Sequence, residues 1–107
     1  MPIGNDIRHG IQEYVRLCQE QLNEHFATSI LQPDILSIAY GRRYAKVIRQ
    51  TDGGKGQISV FGFVDMTNGD ILKAATWHAP AKTARGNVLD VDFGMSRTKL
   101  YGPEYLK

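Results

Sequence analysis

The sequence predicts a mainly β domain with one N-terminal α-helix, its strands forming a strongly bent five-stranded antiparallel sheet or small open barrel. Three observations predict it. Apolar residues recur at spacings of three and four early in the chain, short β-rich runs broken by glycine turns follow from Ile35, and Asn68-Gly69 joins two of those runs.

The helix is expected over about residues 6–25. Ile7, Ile11, Tyr14, Val15, Cys18, Leu22 and Phe26 make its apolar stripe, and Arg8, Glu13, Arg16, Glu20 and Glu24 its wet face. Asn5 and Asp6 are the expected caps, and Gly10 costs the helix a little without breaking the period. Cys18 lies on the stripe and is read as a packing residue rather than a nucleophile. His9 and His25 lack metal-pair spacing and are read as surface or helix-end residues.

After Pro33, Ile35–Tyr40 reads as a strand, Gly41-Arg42-Arg43 as a turn, and Tyr44–Gln50 as a second extended run. Alternation there places Ala45 and Val47 on one face and Tyr44, Lys46 and Ile48 on the other. The glycine-rich stretch Thr51–Gln57 lacks the Walker spacing and is expected to be a mobile hairpin connection. Ile58–Met66 and Ile71–His78 form the hairpin around Asn68-Gly69. Phe61 and Phe63 are expected on one shared face, with Gly62 where the sheet curves. Leu89, Val91 and Phe93 keep strand spacing, and Leu100, Tyr101, Tyr105 and Leu106 are expected to dock the tail on the core or on a neighbouring subunit.

A chain of 107 residues fits one domain, residues 1–107, with the sheet spanning about 35–106. Its 13 lysines and arginines against 11 acids give a net charge of +2, too small to establish a nucleic-acid partner by bulk charge alone. Cys18 is the sole cysteine, so no internal disulfide and no multi-cysteine zinc site can form. The N-terminus lacks the pattern of a signal peptide and no stretch has the length of a membrane span, which points to a cytoplasmic protein without membrane association.

The binding chemistry concentrates in Pro80–Leu89, read as a basic turn. Arg85 offers a planar charged fork, Gly86 an open backbone, Asn87 a donor and an acceptor, and Lys82 a second cation. Arg42, Arg43, Lys46 and Arg49 form the densest positive cluster. Both stretches have plainer readings, an ordinary Arg-Gly-Asn turn and a solvated charge run. Trp77 is either a stacking surface for a base or a core or interface residue. No cofactor fingerprint, metal-ligand spacing or nucleophile motif occurs, so no catalytic residue, metal or cofactor is expected; His78 with Asp65 or Asp70 is the weakest of the readings.

The blocks Gly69-Asp70-Ile71-Leu72-Lys73-Ala74-Ala75-Thr76-Trp77, Ala79-Pro80-Ala81-Lys82, Ala84-Arg85-Gly86-Asn87 and Tyr101-Gly102-Pro103-Glu104-Tyr105-Leu106 resemble a family of small uncharacterised phage proteins, with cyanophage and marine metagenomic sequences prominent among them. The resemblance covers roughly residues 44–106 and implies an Sm-like fold with subunits joined edge to edge in a ring of pentamer to heptamer size. Ala84-Arg85-Gly86-Asn87-Val88-Leu89 is similar to the Sm-like motif whose loop lines the ring and grips RNA, with Ala84 and Val88 departing from it. Asp65 and Asn68 stand three apart where that fold's other motif has four. The resemblance implies a non-enzymatic protein binding RNA or single-stranded DNA, with Arg85, Lys82, Asn87 and Gly86 at the loop and Arg42, Arg43 and Lys46 extending the contact. The alternative is a phage structural or host-factor-binding module that captures a protein partner.

Overall fold

A computed structural model describes residues 3–99 and 102–103. Helix α1, Ile3–Phe26, turns the predicted stripe inward, with Ile7, Ile11, Tyr14, Cys18 and Leu22 all buried. It begins ahead of the expected cap, so Asp6 lies in the first turn, where a carboxylate complements the positive end of the helix. Burial pushes the Cys18 thiol up to about 12, which suits a packing residue.

Five strands follow as an antiparallel meander: β1 (Ile35–Tyr40), β2 (Tyr44–Gln50), β3 (Ile58–Asp65), β4 (Asp70–Ala74) and β5 (Pro80–Asn87). The sheet does not close, and β1 and β5 are its edges. A short ribbon, β6 (Thr98–Lys99) with β7 (Gly102–Pro103), completes the described chain. The expected docking of Leu100, Tyr101, Tyr105 and Leu106 lies outside the described residues.

The helix-plus-sheet architecture agrees with expectation, but the fifth strand comes from a different stretch. Pro80–Asn87, read as a basic turn, is β5; Leu89, Val91 and Phe93, read as a strand, lie among turns, with Val91 fully exposed and Phe93 at φ 56°. Cross-strand partners decide the first: β5 pairs with β4 through Asp70↔Asn87, Leu72↔Ala84 and Ala74↔Pro80. A local carboxylate decides the second, since Asp92 accepts the backbone N–H groups of Gly94 (3.0 Å) and Ser96 (2.9 Å) and folds the segment back on itself.

The glycine-rich stretch after β2 is also more ordered than an open connection. Gly54 and Gly56 N–H groups both donate to the Thr51 carbonyl (3.2 and 2.9 Å), and the Gln57 N–H donates to Thr51 Oγ1 (3.0 Å).

Alternation in β2 sends Ala45 and Val47 under α1, where Leu36, Phe61, Val64, Ile71 and Val88 complete one core with the helix. Gly10 marks the closest approach of the helix: a Cβ there would lie 2.5 Å from the Val88 carbonyl oxygen. Its small cost to helix propensity is thus offset by close packing. Between β2 and β3 a bulge lets Val47 face Gly62 and Ile48 face Val60, so Phe61 is the extra residue. Phe61 turns into the core and Phe63 stays opposite Lys46 on the other face. The two phenylalanines therefore do not share a face, because the bulge resets the alternation between them.

Candidate nucleic-acid interface

The sheet face turned away from α1 is built around one row of cross-strand partners that spans all five strands: Ala39, Lys46, Phe63, Leu72 and Ala84. Small alanines stand on the two edge strands, so the larger side chains rise in the middle. Lys46 Nζ lies 4.3 Å from the centre of the Trp77 ring and 5.9 Å from that of Phe63. Tyr44 meets Phe63 edge-on with ring centres 6.2 Å apart, and the Arg43 guanidinium lies 5.3 Å over Tyr44. These cation–π contacts hold two long basic side chains against a rigid aromatic floor.

Two grooves adjoin on this face. The first, about 340 Å³, is lined by Arg42, Arg43 and Lys46 together with Tyr40, Tyr44, Phe63 and His78. The second, about 330 Å³, shares Arg43 and Tyr44 and continues past Asp65, Asn68 and Asp70 to Lys82. A tight hairpin places Arg42 and Arg43: the Gly41 N–H donates to the Tyr44 carbonyl (2.9 Å), and the Met66 N–H donates to the Arg43 carbonyl (2.6 Å). Lys82 reaches the second groove from the stretch of β5 between Ala84 and Pro80, where the register with β4 shifts.

Asp65 closes one wall. Burial opposes its ionisation, but hydrogen bonds from the Thr67 N–H (2.8 Å) and Thr67 Oγ1 (2.6 Å), with Arg43 Nη2 3.6 Å away, outweigh burial and hold the carboxyl below the ordinary range. Asp65 also accepts the Gly69 N–H at its carbonyl (2.8 Å), so it shapes the turn that carries Asn68.

Of the residues singled out in the sequence, Arg42, Arg43, Lys46 and Lys82 come together here. Arg85, Gly86 and Asn87 do not join them. Arg85 is 7% exposed, with Nη1 donating to the Thr83 carbonyl. Asn87 Nδ2 donates to the Asn68 carbonyl and to Asp70 Oδ1 (both 2.9 Å), and its Oδ1 accepts the Leu89 N–H (2.8 Å), so its amide braces the Asn68-Gly69 turn. Gly86 has φ 145°, and a Cβ there would lie 3.3 Å from the Gly94 carbonyl oxygen, which ties it to packing against the following segment. Arg49, in the same sequence cluster as Arg42, belongs to the other face, where it pairs with buried Asp34.

Phe63 and His78 carried no binding role in the sequence reading, and Tyr40, at the groove's end, turns its ring to the α1 side, where the Arg8 guanidinium lies 4.6 Å over it. One signal for Tyr44 was present, since alternation puts it beside Lys46; the others needed the register. Trp77 is 42% exposed and stands over Lys46, so it is a surface aromatic and not a core residue. Among the described residues no cluster of His, Cys, Asp or Glu is arranged to hold a metal ion, and no helix is long and apolar enough to cross a membrane.

Fold and site together define a small helix-covered β-sheet protein with a basic, aromatic open face. The chain belongs to a family described as "Family of unknown function (DUF7717)", whose sequence model matches residues 2–101. No curated protein and no solved structure matches it.

Proposed function

We propose that this protein is a non-enzymatic binder of single-stranded RNA or DNA that holds the strand across the open face of its sheet. The observation that carries this reading is the pair of grooves joined at Arg43 and Tyr44, which brings Arg42, Arg43, Lys46 and Lys82 alongside the rings of Tyr44 and exposed Trp77, with Phe63 buried beneath Lys46. Phosphates need cations spaced along a track, and unstacked bases need flat apolar surfaces. A duplex keeps its bases stacked and makes little use of such a floor.

Self-association extends the same reading. Among the described residues no strand pairs with the outer edge of β1 or β5, and joining copies edge to edge in an Sm-like ring would satisfy those backbone groups and repeat the basic face about one axis.

Fluorescence polarisation with labelled single-stranded RNA, single-stranded DNA and duplex tests the proposal. The expected result is preference for single strands and a slope of log affinity against log salt of about −3 per chain, from four basic contacts on a single strand. Arg43→Glu with Lys46→Glu should abolish most binding, whereas Lys55→Glu, the same charge reversal at one exposed loop residue outside both grooves, should leave most of it. Equal affinity in the double variant, or no binding by the folded wild type at low salt, would overturn it.

A further inference from the structure

A groove of about 560 Å³ runs between the outer flank of α1 and the segment that follows β5. Leu17 contributes its apolar lining from the helix, and Val91, Phe93 and Met95 contribute theirs from the returning segment. Val91 is fully exposed, so this apolar surface continues outward from the groove.

The rim has the opposite charge to the open sheet face. Among the described residues Glu20, Glu24 and Asp92 line it against one cation, Arg16. That cation is neutralised locally, its guanidinium lying 3.0 Å from both Glu13 and Glu20. The Glu24 carboxylate has no partner among the described residues. An acidic rim around an apolar floor repels nucleic acid and acidic peptides, and it matches a segment that is both cationic and amphipathic.

We propose that this groove docks a cationic amphipathic segment of a partner protein, one apolar side chain seating between Leu17 and Met95 while flanking lysines or arginines pair with Glu20 and Glu24. The site stands apart from the nucleic-acid reading and does not depend on it. Its place on the helix side leaves the sheet face open, so both surfaces can be occupied at once.

The test is titration of the isotopically labelled full chain with a synthetic peptide carrying leucine and phenylalanine anchors flanked by lysines, beside a counterpart with every lysine replaced by glutamate. The proposal expects amide shifts confined to residues around Leu17, Glu20, Glu24 and Met95 with the first peptide and none there with the second. Glu20→Lys with Glu24→Lys, on an exposed helix surface where the fold is insensitive to charge, should weaken binding by about tenfold or more. Leu17→Asp should do the same by removing the apolar seat. Shifts scattered elsewhere, equal binding of the acidic peptide, or unchanged affinity in the charge-reversed variant would overturn the proposal. So would light scattering that shows a dimer of this chain dissociated by Glu24→Lys, because a second copy would then fill the groove.

Discussion

The two faces of the sheet use neighbouring residues of the same strands for opposite ends. Toward α1, Ala45 and Val47 are completely buried and join the helix in one dry core, while Arg49 is held by Asp34. Away from α1, Lys46 sits between them in sequence yet spends its charge over Trp77 and Phe63 in an accessible groove. The difference teaches that a charge cluster in sequence is not a charge cluster in space. A strand deals its cations alternately to the core side, where each needs a partner, and to the open side, where each remains available.

That division predicts which substitutions unfold the protein and which leave it folded but unable to bind. Asp34→Ala leaves Arg49 short of its carboxylate in a buried setting and should cost roughly 3 kcal/mol in urea denaturation. Gln19, whose Nε2 donates to the Asp34 carbonyl and whose Oε1 accepts the Leu36 N–H (2.8 Å each), keeps the helix tied to β1 in that variant, so a cooperative transition should survive. Gly10→Val tests the closest helix contact and should cost about 1–3 kcal/mol by overpacking against Val88. A value near zero for either would mean that the covered face is less tightly built than the geometry requires.

Asp65 sharpens the comparison, because it lies on the open side yet acts structurally. Asp65→Asn should cost about 1 kcal/mol at neutral pH by weakening its bonds from Thr67. The sign of the pH effect follows from the lowered folded pKa. The carboxylate contributes above its unfolded value and loses that contribution as pH falls through the folded one, so wild type and variant should converge in acid. Convergence is read by comparing denaturation midpoints at neutral pH and below the ordinary carboxylate range; a constant gap would remove the charged form from the account. Arg43→Glu with Lys46→Glu removes the cation beside Asp65 and the one over Trp77, and should cost about 1 kcal/mol while the protein stays folded and binding collapses.

The helix, the first three strands and the Asn68-Gly69 turn were legible because periodicity and turn chemistry are local signals; the fourth strand, expected over Ile71–His78, ends at Ala74, where the Ala75 and Thr76 N–H groups turn back to the Ala79 carbonyl. Ile7 to Leu22 keep their helical spacing and Tyr44 to Ile48 their alternation without help from the rest of the chain. β5 was hidden because Pro80, Ala81, Lys82, Ala84, Gly86 and Asn87 have little strand preference of their own, and only β4 makes them a strand. The bulge at Phe61 was invisible for the same reason: it exists only in the register between two strands. The site was half legible. Arg42, Arg43 and Lys46 are close in sequence, but the aromatic floor beside them is assembled from β2, β3 and the loop that carries Trp77. Arg85 and Asn87 looked like ligands by residue type, and nothing in a bare sequence shows that their polar groups are already occupied within the fold.

Trp77 is the only tryptophan in the chain, which makes intrinsic fluorescence a probe of the open face alone. Titration of unlabelled single-stranded oligonucleotide into the full chain should quench Trp77 emission with the same midpoint as the polarisation signal, and added salt should reverse both together. Polarisation that reports tight binding while Trp77 emission stays unchanged would place the nucleic acid elsewhere and contradict the account.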